Sequence, residues 1–281
     1  MLFFTVSMSL QQDLDDALLY LPPNFLDFKF SSCKDAKDRI NAFTRFSPPC
    51  RYVVIREIPI EAFIELDENR EISSRNEYFV HINLAVLYLK MPNLPHNKAF
   101  TRFRRLFDEK ALSMGIRLRD YSWYSNLIHT GMRRNKEPDE CFYPVDNVQD
   151  QDWPTLVIEV GTSETMQRLR QDAIWWLRQG SQLQYVVLVG LDTENRRAVI
   201  EKWELVDQPL LSRPITRSLS QQNPQPQIPQ LVPRATEIAT IEENGVVDGS
   251  LHFSFARLFN RQPNSSEHIF VFGADLSRLV F

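Results

Sequence analysis

The segment Lys136–Leu177, KEPDECFYPVDNVQDQDWPTLVIEVGTSETMQRLRQDAIWWL, decides the fold. Glu140 to Val145 reads as a strand, and Asp146 to Trp153 as a polar, acidic loop closed by Pro154. Thr155 to Val160 is a short apolar run, the pattern of a strand buried on both faces. Gly161, Thr162 and Ser163 make a turn; either hydroxyl can cap a following helix, whose positive end Glu164 suits. Met166, Leu169, Ala173, Trp176 and Leu177 then share one helical face, and Gly180 stops the helix. Gln184 to Leu191 is a second buried strand. Strand, helix and strand in this order imply one parallel crossover.

Two acids stand out in this frame. Asp139 follows Pro138 directly, and Glu159 interrupts the apolar run Leu156-Val157-Ile158. A carboxylate inside an apolar strand needs a partner. Two carboxylates on neighbouring strands, with basic groups beside them, suit a divalent metal held against a phosphodiester. The plainer reading is a polar pair at strand ends, neutralised by nearby arginines. Arg168 and Arg170 lie two apart on a helix and point in different directions, so at least one of them belongs to a solvated face.

Working outward toward the N-terminus, Arg133, Arg134 and Lys136 form a basic run leading into the acids, and Ile116 to Leu127 alternates like a strand. A helix is expected from near His96 to Met114, with Phe100, Phe103, Phe107 and Ala111 on its apolar stripe and Gly115 as its stop. Lys98, Arg102, Arg105 and Lys110 lie largely off that stripe, as a solvated face or a phosphate-contacting one. For His96 a packing role at the helix start is favoured over a catalytic one. Tyr78 to Met91 has the density of one or two strands, Arg51 to Ile60 of another, and a short helix follows from Glu61. Leu10 to Leu21 can form a helix stopped by Pro22-Pro23.

Toward the C-terminus, Ala198 to Val206 alternates and pairs naturally with the strand before it. Pro209 to Pro233, rich in proline, glutamine and serine, has the composition of a linker or long surface loop. LHFSFARLF and HIFVFGADL mark a return to order in a segment too short to stand alone.

With 281 residues, 43% of them hydrophobic, the chain can bury a substantial core. A net charge of −4 gives no general attraction to nucleic acid, so such binding must come from local basic clusters. Three cysteines far apart, with no CxxC pair, exclude a disulfide framework and a zinc finger as first readings and fit a reducing compartment. MLFFTVSMSL lacks a basic start and a cleavage site, and no apolar run approaches the ~20 residues of a membrane helix. An intracellular protein of nucleus or cytoplasm is expected.

Pro138-Asp139, with Glu159-Val160-Gly161 at the end of a buried strand, resembles the PD-(D/E)XK nuclease superfamily. The run KEPD, WPTLVIEVG and a serine-led helix with RLRxDAxWWL resembles more closely fungal proteins carrying a Uma-type restriction endonuclease domain. YLKMPNLPHNKAF, EKWEL and LHFSFARLFNRQP are similar too, so the resemblance covers roughly residues 78–280, more weakly beyond Val206. It implies an α/β, restriction-endonuclease-like fold, a mixed central β-sheet flanked by helices. It also implies magnesium or manganese held by Asp139, Glu159 and the carbonyl of Val160. DNA is the implied substrate, with RNA as the other candidate, and a homodimer is a further expectation. The superfamily's lysine falls at Gly161 here; Arg168 or Arg170 of the following helix, or Lys136 of the neighbouring strand, can serve as the phosphate-contacting cation in its place. The other reading is a non-catalytic nucleic-acid or protein-binding module on a degenerate nuclease fold. The expected division is an N-terminal extension over 1–77, a nuclease-like core over 78–207, a linker over 208–236 and a C-terminal segment over 237–281.

Overall fold

A computed structural model describes residues 10–15, 17–19, 21, 24–46, 52–68, 73–89, 94–125, 127–131, 134–145, 153–161, 166–180, 182–208 and 231–279. The acidic loop after Val145, the helix cap at Thr162 to Glu164, Arg133 and most of the Pro/Gln-rich stretch lie outside them. The fold is α/β, with mixed sheets flanked by helices.

The mixed sheet expected from the sequence has seven strands, and the N-terminal part of the chain builds a second sheet of six. In chain order the elements begin with helix α1 (residues 10–15 and 17–18), strand β1 (Leu26–Lys29), helix α2 (Cys33–Phe46), β2 (Tyr52–Arg56) and α3 (Ile60–Glu68). The hairpin of β3 (Ser73–Phe79) and β4 (Leu84–Leu89) follows, then the long helix α4 (Leu94–Ser113). β5 (Tyr121–Tyr124), β6 (His129–Thr130), β7 (Arg134–Lys136), β8 (Glu140–Pro144) and β9 (Leu156–Gly161) lead to α5 (Met166–Gln179). β10 (Tyr185–Asp192), β11 (Arg197–Asp207), β12 (Leu231–Ile241), β13 (Val247–Asp248), β14 (Leu251–Phe253), α6 (Phe255–Phe259) and β15 (Phe270–Phe272) complete the chain.

The six-stranded sheet runs β1-β2-β4-β3-β7-β6 and the seven-stranded sheet β13-β12-β11-β10-β9-β8-β5. β9 and β10 pair in parallel across α5, the crossover that the strand–helix–strand pattern requires. Residues before 78 supply β1, β2 and most of β3, so this part of the chain shares a sheet with β4 and β7.

Each sheet is covered on both faces. One side chain set of the seven-stranded sheet, Leu156, Ile158 and Val160 among it, packs on α4 and on the C-terminal residues Phe253, Phe255, Phe270 and Phe272. The alternate set, with Val157, Val186 and Leu188, packs on Leu169, Ala173 and Trp176 of α5. In the other sheet, α2 and α3 cover one face and α1 the other. Gly115 ends α4 at φ +80°, where its N–H donates to Leu112 and that of Ile116 to Ala111, each at 3.0 Å. β12 opens at Leu231, so the last residues of the proline-rich stretch form a strand and not a loop. Pro233 is tolerated because β13 meets β12 only at Thr240 and Ile241, which leaves the strand's beginning at a sheet edge. Among the described residues no helix is long and apolar enough to cross a membrane.

Candidate active site at the junction of the sheets

The chain passes from one sheet to the other between Lys136, the last residue of β7, and Glu140, the first of β8. Glu137, Pro138 and Asp139 make that passage and are all buried. The proline fixes φ and cannot donate, which suits a short link that belongs to neither sheet. β8 and β9 are antiparallel with Glu140 opposite Ile158, so the same register carried one step further sets Asp139 beside Glu159.

The two predicted acids meet at this point. Asp139 Oδ2 accepts the N–H of Val160 at 2.7 Å, and His96 Nε2 from the start of α4 lies 3.3 Å from the same oxygen. Glu159 is fully buried on the α5 side of the sheet, where Trp176 Nε1 donates to its Oε1 at 2.6 Å. Lys136 approaches from the other sheet, its Nζ 3.4 Å from Glu159 Oε1. Lys136 is 0% exposed, and the same ammonium lies 3.0 Å from Glu77 Oε1 and 2.8 Å from Asp172 Oδ1.

The charges extend one layer further. Arg134, two residues before Lys136 on β7, donates to Glu77 Oε2 at 3.1 Å and lies 3.9 Å from Asp172. Arg168 donates to the same Glu77 oxygen at 3.1 Å and to the carbonyl of Leu19. Three carboxylates, Glu77, Glu159 and Asp172, thus face three cations, Lys136, Arg134 and Arg168. Such burial is tolerable only because each charge is paired; an isolated one would be expelled or neutralised.

Arg170 is not part of this group. It points to the solvated side of α5 and forks onto Glu201 of β11, its Nε 3.1 Å from Oε2. Val160 keeps its place between the acids through its N–H, while Gly161 ends β9 without a side chain. The cations of α4 that the sequence singles out are partly neutralised: Arg105 pairs with Glu109 and Lys110 with Asp275.

The sequence reading missed Glu77, Asp172 and the contact of His96. Asp172 had a visible signal. The buried face of α5 is Arg168, Leu169, Asp172, Ala173, Trp176 and Leu177, so two opposite charges four apart sit on the apolar stripe. Glu77 had none, because its partners Arg134, Lys136 and Arg168 are 57, 59 and 91 residues away in sequence.

Two titratable groups beside the site are perturbed. Burial pushes His129 down to about 4; its Nε2 lies 2.8 Å from the hydroxyl of Tyr143. Burial raises the carboxyl of Glu140, against the opposing bond from Ser125. Among the described residues no group of three or more His, Cys, Asp or Glu side chains forms a ready metal cage. The two acids and one carbonyl expected here are a smaller set than that.

No family model and no curated protein matches the chain. Among solved structures, a protein from Anabaena variabilis described as a "putative nuclease belonging to DUF820" is 14% identical, with a TM-score of 0.38. The match covers 54% of this chain and 89% of that one.

Proposed function

We propose that the chain is a metal-dependent phosphodiesterase of the PD-(D/E)XK type acting on DNA, with Asp139 and Glu159 as its metal-binding acids. The observation that carries this reading is the 3.4 Å approach of Lys136 Nζ to Glu159 Oε1. A lysine comes to the second acid from β7, so the cation that Gly161 cannot supply has another source. The donor set suits a hard divalent ion: two carboxylates and the carbonyl of Val160. Magnesium or manganese, when bound, activates water and polarises a phosphoryl oxygen.

The chain's own residues then have distinct tasks. Asp139 is oriented by the Val160 N–H, and Glu159 by the Trp176 indole. Lys136 sets positive charge where negative charge develops on a phosphate beside Glu159. Glu77 and Asp172 hold that ammonium, and Arg168 acts through Glu77 as a positioning residue. Arg170, engaged with Glu201, has no part in this reading. DNA as substrate follows from the resemblance of the 136–177 run.

The test uses purified protein with magnesium or manganese and plasmid or linear DNA. Asp139→Asn and Glu159→Gln keep the side-chain shapes and their acceptor oxygens, so the fold should persist. Each should lower cleavage about 100-fold or more, and Lys136→Met should do so as well. Cleavage that continues undiminished in both acid variants would sink the assignment. The second reading, a non-catalytic module, is favoured by one observation: Lys136 already balances Glu159 together with Glu77 and Asp172. Calorimetry separates the two, since a non-catalytic module takes up no stoichiometric magnesium at Asp139 and Glu159.

A further inference from the structure

A cleft of about 230 Å³ opens at the end of β8 remote from the acidic pair, where Pro144 and Val145 line it. At a strand rise of ~3.3 Å per residue, Pro144 lies roughly 16 Å along the chain from Asp139. A group bound in this cleft is therefore not the one that meets Asp139 and Glu159. Three arginines converge on it from two segments far apart in sequence. Arg117 and Arg119 belong to the tight turn before β5, and Arg261 follows α6. Asp120 and Phe259 complete the lining.

The three guanidinium groups are held differently. Arg117 donates from Nε and Nη2 to the two oxygens of Asp120 at 3.1 and 3.0 Å. Arg261 donates from Nη1 and Nη2 to Glu267 at 2.7 and 2.6 Å, and its guanidinium lies 4.6 Å from the ring centre of Phe255. Such forks orient a guanidinium and leave some of its N–H groups unused. Arg119 is exposed and, among the described residues, has neither hydrogen bond nor ion pair; it acts on Asp120 only through space. Three cations thus face two carboxylates, Asp120 and Glu267, which leaves one positive charge in surplus on a chain of net charge −4. A concave site concentrates such a surplus. Asp120 does not satisfy Arg119, because both of its oxygens are taken by Arg117.

The geometry points to a phosphoryl-binding site built by Arg119, Arg117 and Arg261, separate from the acidic pair. It goes beyond the phosphodiesterase reading and does not depend on it. A planar carboxylate is served by one guanidinium, as Asp120 and Glu267 are here. A phosphoryl group carries its charge on several oxygens that diverge, and cations arriving from separate segments suit it better. The cleft is smaller than the ~300–1,000 Å³ of sites that enclose a whole small molecule, so the ligand places only its phosphoryl end there. Inorganic phosphate and the phosphate of a nucleic-acid strand share that chemistry.

Binding is measured by calorimetry on the full chain in EDTA and low salt, where cleavage is silent. The probes are inorganic phosphate and a short single-stranded oligonucleotide with or without a 5′-phosphate. The parent protein should bind inorganic phosphate at one site. Arg119→Ala should weaken this at least 10-fold and Arg119→Lys about 3-fold. Arg119 makes no internal bond, so both variants should keep the parent's circular dichroism and urea midpoint. Asp139→Asn and Glu159→Gln should bind phosphate as the parent does. Tighter binding of the phosphorylated oligonucleotide, lost in Arg119→Ala, identifies a strand phosphate as the ligand; tighter binding of inorganic phosphate identifies the free ion. Absence of phosphate binding in the parent, unchanged binding in Arg119→Ala, or loss of binding in Asp139→Asn would each overturn the inference. So would binding seen only in Asp146→Asn, since a carboxylate next in sequence to Val145 would then hold the place.

Discussion

At the scale of the residue, Lys136 decides most. Its ammonium is enclosed by Glu77, Asp172 and Glu159, and its removal leaves three carboxylates to share two arginines. Lys136→Met should lower stability by about 3–5 kcal/mol, read as a fall in the urea midpoint. Adding Asp172→Asn should restore part of that loss, because one surplus charge goes with it; a lack of any recovery would argue that Lys136 matters by its volume. His129 gives a prediction in pH. Its folded-state value of about 4 lies below the ordinary value of 6.5, so the unfolded chain binds the proton first. Its contribution is complete above pH 6.5, falls as pH drops toward 4 and changes no further below that. The full span is about 3 kcal/mol. His129→Gln should flatten the stability profile across that window, and a profile identical to the parent's would remove His129 as the cause. Asp139 and Glu159 were legible as residues because each breaks a local rule: an acid after a proline, an acid in an apolar strand. Glu77 breaks none, sitting in a polar strand, and only the folded chain shows where it goes.

At the scale of the element, helices were the most legible because their period is written in the apolar positions. The stripe Phe103, Phe107 and Ala111 is buried as the spacing requires, and α4 ends at Gly115. Phe107 is its anchor, with its ring 4.5 Å from that of Phe270 and 5.0 Å from that of Phe142. Phe107→Ala should cost about 3–5 kcal/mol in chemical denaturation. A loss under 1 kcal/mol would mean that the aromatic cluster closes over the gap. On α5 the spacing marks the apolar members of the stripe and offers Arg168 as one of three candidate phosphate contacts, but it does not single out Asp172 on the same stripe. Arg168 and Asp172 are the positions that couple the helix to the site. Strand ends were less legible. β12 begins inside the proline-rich run because sheet pairing at an edge needs only part of the backbone's donors, so Pro233 carries no strong signal against a strand there.

At the scale of the molecule, the crossover of β9, α5 and β10 was legible, since all of it lies within a continuous stretch of sequence. The division into two sheets was not, because β7 joins β3 through pairings some 59 residues apart, Glu77 opposite Lys136. The C-terminal residues close the α4 face with Leu251, Phe253, Phe259 and Phe272, all buried. A chain ending after Asp248 should therefore bind hydrophobic dyes and lose cooperative thermal unfolding, and a sharp transition in the shortened chain would contradict this role. The passage Glu137-Pro138-Asp139 has a consequence at the same scale. It is a tether of fixed length between a cation that travels with one sheet and a carboxylate that travels with the other. Any sliding of the sheets would appear first as a change in the gap between Lys136 and Glu159, across which no covalent bond runs. The separation of those two groups is thus a gauge of how the halves of the molecule are seated, and a remote change that unseats them would rearrange these charges without touching them.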